Sequence, residues 1–197
     1  MSEPNPLREA RYLKSVHELP QLPSGDGIEI AIAGRSNAGK SSAINAIADQ
    51  NSLARTSRTP GRTQQLVFFE VAPGKYLVDL PGYGYAKVPP SLRDHWQTLI
   101  DRYFTTRQAL RGLVVVMDIR HPLRDFDQRM LAYGQARGLA CHCLLTKADK
   151  LPRGQQGKAL LETRRTLGKS ATVQLFSAES RLGVDEARAV LTGWLEL

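Results

Sequence analysis

The sequence is poor in cysteine and has no long apolar run. Its 197 residues include two cysteines, Cys141 and Cys143, which are too few for a disulfide framework. Two thiols without such a framework fit a reducing, cytoplasmic compartment. No window approaches the roughly 18 continuous apolar residues that a membrane span requires. Residues 1–6 contain no apolar segment after a basic start, so we expect neither a signal peptide nor a membrane partner.

The sequence also lacks a convincing metal-binding cluster of histidine and cysteine. Cys141-His142-Cys143 is the one candidate, and alternation along a strand would place its cysteines on one face and its histidine on the other. There is no second pair of ligands, so burial of the cysteines as small core residues is the preferred interpretation.

Negative charge is scarce relative to positive charge. The formal net charge is +8 and the sequence pI is about 9.8. This balance favours an anionic partner, which could be nucleic acid, an anionic membrane or only a bound nucleotide. The lysines and arginines are dispersed along the chain and form no polybasic tail, so a disordered RNA-binding arm is not supported.

The pattern of apolar runs predicts an α/β fold. A chain of 197 residues suggests one compact domain at 25–197, with residues 1–24 as a partly ordered N-terminal extension. Helical patterns fall between most strand-like runs, which indicates three layers: a mostly parallel central sheet with helices on both faces. A tight Ala72-Pro73-Gly74 connection predicts one antiparallel edge strand. The predicted strands are Ile28–Ala33, Gln65–Val71, Lys75–Asp79, Leu113–Asp118, Ala140–Leu145 and Thr172–Phe176.

A phosphate-binding pattern follows the first of these strands. The residues from Gly34 to Ser41 match G-x-x-x-x-G-K-[ST], and a helix is predicted to begin at Ser41. Free backbone N–H groups and the positive end of the helix dipole would face a phosphate there. Lys40 would reach the β- and γ-phosphates, and the Ser41 hydroxyl would bind Mg²⁺.

Two further segments are expected to respond to a γ-phosphate. Asp79-Leu80-Pro81-Gly82 follows a strand, so Asp79 can hold Mg²⁺ through water and the Gly82 amide can contact the γ-phosphate. The segment Thr59–Thr63 precedes another strand, and Thr63 is favoured over Thr59 as a Mg²⁺ ligand because it borders that strand. Each segment taken alone is also explained as a Pro-Gly turn.

Two later segments indicate guanine as the base. The Asp149 carboxylate of Thr146-Lys147-Ala148-Asp149 can accept hydrogen bonds from N1 and the 2-amino group, an arrangement that adenine does not offer. Phe176-Ser177-Ala178 ends the last strand, where a backbone amide could contact O6. These segments argue against an ATP-using P-loop enzyme such as a small kinase.

The residues predicted to contact the nucleotide fall in five segments of the chain. The complete set is Gly34, Arg35, Ser36, Asn37, Ala38, Gly39, Lys40, Ser41, Ser42, Gly61, Arg62, Thr63, Gln64, Gln65, Asp79, Leu80, Pro81, Gly82, Thr146, Lys147, Ala148, Asp149, Phe176, Ser177 and Ala178. Lys40, Thr63 and Gly82 are the predicted catalytic residues, and Ser41, Thr63 and Asp79 are the predicted Mg²⁺ ligands.

On the segments GRSNAGKSS, RTPGRTQ, DLPGYGYA, TKAD and FSA, the chain closely resembles the translation-factor-related GTPases of the EngB (YihA/YsxC) type. The resemblance covers about residues 10–195. It implies a monomeric, cytoplasmic P-loop GTPase with a G-domain fold that binds GTP, GDP and Mg²⁺. It also implies a role in assembling the large ribosomal subunit, through its rRNA and ribosomal proteins, and in normal cell division and septation, with no DNA partner.

Two residues bear on how GTP would be hydrolysed. Tyr83 stands where many GTPases have a glutamine that orients the attacking water, so we predict slow hydrolysis without an activator. In related GTPases, asparagine at the position of Asn37 accompanies activation by K⁺; a simple turn residue is the alternative. Another open alternative is a module that docks on RNA or the ribosome and uses GTP only as a structural ligand.

Overall fold

The computed structural model describes residues 4–55, 65–82 and 89–197 of the chain. These residues form seven strands and five α-helices. The strands are β1 (Arg11–Val16), β2 (Ile28–Gly34), β3 (Leu66–Ala72), β4 (Lys75–Asp79), β5 (Leu110–Asp118), β6 (Ala140–Thr146) and β7 (Thr172–Leu175). The helices are α1 (Lys40–Ala48), α2 (Pro90–Thr106), α3 (Asp125–Ala136), α4 (Arg153–Leu167) and α5 (Val184–Leu195).

The strands form one sheet in the order β1-β3-β4-β2-β5-β6-β7. β2 lies at the centre and pairs in parallel with β4 and β5, and β6 and β7 continue the parallel arrangement. β3 is antiparallel to both β4 and β1. The predicted α/β class and the antiparallel β3–β4 pair are therefore confirmed. β1 pairs with the outer side of β3, so the N-terminal segment forms one of the two edge strands of the sheet.

The helices cover both faces of the sheet. Side chains of α2 and α3 pack on one face with Ala31 and Ala33 of β2, together with the partly buried Leu160 of α4. Side chains of α1 and α5 pack on the other face with Ile30 and Ile32. Alternation along a strand sends successive side chains to opposite faces, so β2 contributes to both layers of the core. Among the described residues, no helix is long and apolar enough to span a membrane.

A buried polar cluster joins the end of α2 to the start of β2. Glu29 is fully buried and accepts hydrogen bonds from Tyr103 (2.8 Å) and from Nε of Arg107 (2.9 Å). The guanidinium balances the carboxylate charge, which would be costly to bury alone. This cluster fixes the strand that leads into the phosphate-binding loop.

The parallel strands all end at the same edge of the sheet. The pairings Ile32 with Asp79, Gly34 with Val116, and Asp118 with Thr146 place these strand ends side by side. Loops beyond the carboxyl ends of parallel strands are the usual ligand-binding region of such folds. The predicted motifs that follow β2, β4 and β6 therefore meet at one edge, because these strands run parallel to one another.

Candidate functional site

The loop between β2 and α1 has the backbone shape that its glycines permit. Gly39 lies immediately before α1 with φ of +90°, and Asn37 has φ of +63°. A Cβ at Gly34 would lie 3.1 Å from the carbonyl oxygen of Val116, so a side chain there would crowd β5. Left-handed residues followed by a helix N-terminus turn several N–H groups toward one point, which suits an anion.

Lys40 and Asp79 form an ion pair at this end of the site. Nζ of Lys40 contacts Oδ1 of Asp79, and the two side chains are 11% and 16% exposed. The contact arises because β2 and β4 are adjacent parallel strands, so α1 and the end of β4 lie side by side. Each charge neutralises the other, and a phosphate or cation that engages one of them competes with this pair.

The same residues line a cleft of about 340 Å³. This volume is in the range of pockets that hold small ligands. At Gly82, an added Cβ would lie 3.7 Å from the backbone of Ser36, so the Asp79–Gly82 segment borders the phosphate-binding loop. The cleft is lined by Arg35, Ser36, Asn37, Gly39, Lys40, Ser41, Ser42, Arg55, Gln65, Val67, Asp79, Leu80, Pro81, Gly82 and Lys147.

The oxygen-rich donor set of the cleft fits Mg²⁺. Asp79 provides a carboxylate, and the Ser41 hydroxyl lies 3.3 Å from the carbonyl oxygen of Arg55. Mg²⁺ in nucleotide sites commonly takes one or two protein oxygens besides water and phosphate. Within the described residues there is no group of three or more acidic, histidine or cysteine ligands, so no dedicated protein cage competes with this arrangement.

Several predicted residues lie outside the described ranges. Of the predicted nucleotide contacts these are Gly61, Arg62, Thr63 and Gln64, and Tyr83 lies outside them as well. The predicted roles of Thr63 in metal binding and of Tyr83 in hydrolysis therefore stay predictions.

The segment Thr146–Asp149 is tied directly to the phosphate-binding loop. The Thr146 hydroxyl lies 2.5 Å from the carbonyl oxygen of Ala38 and 3.0 Å from that of Met117. Nζ of Lys147 donates to the carbonyl oxygen of Asn37 at 2.6 Å. Because this lysine bridges the two segments, its stem lies between the phosphate end and the base end of the site.

Asp118 is a site residue that our sequence analysis did not single out. Its carboxylate lies 3.0 Å from Nζ of Lys147 and accepts hydrogen bonds from Arg120. Those bonds, chiefly the ones from the Arg120 side chain, hold the pKa of Asp118 well below its ordinary value. The feature of the sequence that could have identified Asp118 is its position at the end of a central strand. In the sheet, that strand pairs with the strand that ends at Thr146.

Asp149 is held by the segment after the last strand. Ser177 Oγ is completely buried and donates to Oδ1 of Asp149 at 2.6 Å. The amide of Ala148 donates to the carbonyl oxygen of Phe176 at 3.1 Å. The hydrogen bond from Ser177 is the main cause that lowers the pKa of Asp149, so the carboxylate is ionised at neutral pH.

Two of the three backbone amides of the Phe176–Ala178 segment already donate hydrogen bonds within the protein. The Phe176 amide donates to Leu145 and the Ser177 amide to Leu182, both at 2.9 Å. Of the three residues, Ala178 is therefore the candidate for the predicted contact with O6, while Ser177 acts through its side chain. Sequence reasoning predicted the segment but not this division of roles.

A second cavity of about 230 Å³ lies behind the phosphate-binding loop. Its lining includes Arg35, Asn37, Asp118 and Asp127. Asp127 is 1% exposed; its Oδ2 accepts from the Arg124 amide at 2.9 Å, and its Oδ1 has no hydrogen-bond partner among the described residues. Burial raises the pKa of this carboxyl to about 6.

Comparison with known proteins identifies the class that this fold and cleft define. The family described as "50S ribosome-binding GTPase" matches residues 29–147, which span the sheet centre and three of the predicted motifs. The chain is therefore a GTPase that binds guanine nucleotides. More particularly, it belongs to the EngB GTP-binding protein family, as its curated relatives show.

Those relatives are similar over almost their whole length. A "Probable GTP-binding protein EngB" of Xanthomonas campestris pv. campestris (strain 8004) is 63% identical over 195 residues, covering 97% of this chain and 94% of that protein. The protein of the same description from Stenotrophomonas maltophilia (strain K279a) is also 63% identical, covering 97% and 98%. The resemblance identified from the motifs is confirmed.

Solved structures support the fold. A crystal structure of a probable GTP-binding protein engB superimposes with a TM-score of 0.68 at 16% identity, covering 85% of this chain and 98% of that chain. Elongation factor SelB from Methanococcus maripaludis gives 0.60 at 14% identity, covering 89% and 34%. At these identities the similarity concerns the fold, and it shows that the arrangement of sheet and helices is that of GTPase domains.

Proposed function

We propose that this protein is a Mg²⁺-dependent switch that binds and hydrolyses GTP and assists assembly of the large ribosomal subunit. The observation that carries the proposal is the match of residues 29–147 to the family described as "50S ribosome-binding GTPase", whose motifs after β2, β4 and β6 lie at one edge of the sheet. The role extends to normal cell division and septation, where a shortage of ribosomes would slow growth. The protein acts as a cytoplasmic monomer, with neither DNA nor membrane as a partner.

In the nucleotide complex, the loop between β2 and α1 wraps the phosphates. Its N–H groups and Lys40 bind phosphate oxygens, which requires Lys40 to exchange Asp79 for the nucleotide. Ser41, Thr63 and, through water, Asp79 would hold Mg²⁺, which would supply positive charge to balance that of the phosphates.

At the other end of the site, guanine is recognised by Asp149 and the Ala178 amide. The ionised carboxylate accepts from two guanine N–H groups, and the buried Ser177 hydroxyl holds it in place. An adenine would meet a carboxylate with no matching pair of donors. The hydrocarbon stem of Lys147 covers one face of the base.

Hydrolysis is slow in the isolated protein. Lys40, Thr63 and the Gly82 amide stabilise charge on the transferred phosphoryl group, but tyrosine replaces the glutamine that orients water in many GTPases. We expect fewer than about one turnover per second. Asn37 supports K⁺ binding near the β/γ bridge, so turnover in K⁺ should exceed that in Na⁺; equal rates in the two salts would exclude a role for K⁺.

Co-sedimentation with purified large ribosomal subunits tests the proposal. Protein loaded with a non-hydrolysable GTP analogue should sediment with the subunits, and protein loaded with GDP should remain in the supernatant. A ligand shifts a conformational equilibrium only through differential affinity, so the two nucleotides must give different binding. Equal binding in both states would favour a docking module in which GTP is a structural ligand, and no binding in either state would exclude the ribosomal role.

A further inference from the structure

Helix α4 presents a basic surface that the nucleotide site does not use. From Arg153 to Lys169 the chain has five cations and one carboxylate. Only Thr163 and Leu167 of α4 are buried, so most of the helix faces solvent. We call this surface the α4 basic face; its cations are Arg153, Lys158, Arg164, Arg165 and Lys169.

Most of these cations form no ion pair with the part of the chain that the structure describes. Among the described residues, Lys158 alone of the five lies within 4.0 Å of a carboxylate, at 3.8 Å from Glu162. Both side chains of that pair are mostly exposed, at 75% and 63%, and exposed pairs contribute little to folding. Within the described residues, ion pairs with carboxylates therefore do not explain this concentration of positive charge.

The four cations that lie on α4 fall into two rows, and Lys169 follows the end of the helix. At 3.6 residues per turn, Arg153 and Arg164 lie on one side of the solvent face. Lys158 and Arg165 lie on the other side, roughly a third of a turn away. Two rows of cations separated by a narrow strip match a ligand that carries negative charges in two lines.

The strip of helix surface between the two rows carries mostly small side chains. A Cβ at Gly154 or Gly157 would meet nothing within 4 Å, so packing does not require glycine at either position. Glycine weakens a helix interior, yet two occur in the first two turns of α4. Leu161, at 46% exposed, is the large apolar side chain of the strip. Small residues here let a partner approach the helix backbone closely.

We propose that the α4 basic face binds the phosphate backbone of RNA. Lysine and arginine bind nucleic acids by neutralising phosphates and releasing counterions, and regular rows of phosphates flank the grooves of an RNA helix. A membrane surface fits less well, because an interfacial helix needs a broad apolar face and this strip offers one leucine. The inference rests on the proposed function, since it locates the contact between this GTPase and ribosomal RNA.

The test uses the full-length protein and opposite changes of charge. Arg164→Gln combined with Arg165→Gln removes one cation from each row while keeping good helix formers. Glu162→Gln removes the one carboxylate of the face. Arg111→Gln combined with Arg129→Gln is the matched control, because both arginines are exposed and lie on β5 and α3. The probes are large ribosomal subunits and an RNA duplex of about 20 base pairs, long enough to offer two successive minor grooves.

We expect R164Q/R165Q to bind both probes about tenfold more weakly at moderate salt, and its slope of log K against log salt to shrink by about two. E162Q should bind more tightly than the wild type, and R111Q/R129Q should bind like it. GTP affinity should be the same in all four proteins, since these positions lie away from the cleft.

Three results would overturn the inference. The first is an R164Q/R165Q protein that binds RNA with the affinity and the salt slope of the wild type. The second is equally weakened RNA binding in R111Q/R129Q, which would show that the net charge of the protein, and not the α4 basic face, determines binding. The third is selective loss of binding to vesicles of phosphatidylcholine and phosphatidylserine, with RNA binding intact. If wild-type protein fails to sediment with subunits, the ribosomal role fails, while the RNA duplex still tests α4.

Discussion

The phosphate end and the base end of the site are prepared for their ligand in different ways. At the proposed phosphate end, Lys40 and Asp79 neutralise each other, so a nucleotide that engages Lys40 must break this ion pair. At the base end, Asp149 is already ionised and oriented by the buried hydroxyl of Ser177. Preorganisation lowers the cost of binding. Under the proposed function, we therefore expect a rigid pocket to recognise the base and an exchange of ion-pair partners to respond to phosphate.

The difference suits a switch. Under the proposed function, a base pocket that does not rearrange would hold GTP and GDP alike, whereas residues that change partners on binding phosphate would report which nucleotide is present. Four substitutions test whether the two ends differ in this way.

The largest effect is expected for Lys40→Ala. Loss of a charge-assisted bond to phosphate should weaken binding of GTP and GDP about a hundredfold, since such bonds contribute about 1.5–3 kcal/mol. Titration of a fluorescent guanine nucleotide measures the change. Lys169→Ala is the control, because this exposed lysine lies far along the chain from the cleft lining. Binding of K40A within twofold of wild type would show that the phosphate end does not depend on this cation.

Asp149→Asn should alter base selectivity rather than phosphate binding. An amide offers a donor where guanine's 2-amino group requires an acceptor, so GTP affinity should fall about tenfold to a hundredfold. Xanthine carries an oxygen at that position and should gain relative to guanine. Competition between GTP and XTP provides the measurement, with Asp185→Asn as a control whose carboxylate is 94% exposed. An unchanged ratio would remove Asp149 from base recognition.

Ser177→Ala tests preorganisation at the base end. The hydrogen bond from Ser177 lowers the pKa of Asp149, so the ionised acceptor persists as pH falls. Without it, the pKa should rise toward its ordinary value, and GTP affinity should begin to fall at a higher pH than in the wild type. At neutral pH we expect a loss of about fivefold, the usual contribution of one hydrogen bond. An affinity profile identical to wild type from pH 4 to 8 would contradict the positioning role.

The smallest effect is expected at Asp127, the carboxyl behind the phosphate-binding loop. Its pKa is raised to about 6 by burial, so the folded protein binds a proton more readily than the unfolded chain. The free energy of unfolding should therefore fall as pH rises from about 4 to about 6 and then level off. Asp127→Asn keeps an acceptor for the Arg124 amide and removes the charge.

For Asp127→Asn we expect a gain of about 1 kcal/mol above pH 7, or about 3 °C in Tm, and little change at pH 4. Thermal unfolding without nucleotide at several pH values measures both. Asp125→Asn removes an exposed carboxylate on the same helix and keeps Asp127, so it should retain the wild-type dependence of stability on pH. If the stability of D127N and of the wild type changed with pH in parallel, ionisation of Asp127 would not destabilise the folded protein.

Some elements could not be predicted from the sequence. The sequence from Arg8 to Val16 allows either a short strand or a helical turn. Arg11–Val16 of this segment form a strand, because they pair with the otherwise open edge of β3. α4 was not predicted, since Gly154 and Gly157 interrupt a helix that buries few apolar residues. By contrast, the strand before the phosphate-binding loop and the strand that leads into Thr146–Asp149 were predicted to within one residue. Largely apolar runs of that length suit strands buried on both faces.

The order of strands and motif loops, and with it the GTPase class, follows from local residue patterns, because glycine spacing and apolar runs act over a few neighbouring residues. The pairing of Lys40 with Asp79, the support of Asp149 by Ser177 and the burial of Asp127 join residues far apart in the chain. These depend on which strands become neighbours and on how closely the helices pack. Only the tertiary structure therefore decided that Lys40 and Asp79 neutralise each other, that Asp149 is ionised and oriented by a hydrogen bond, and that Asp127 is buried.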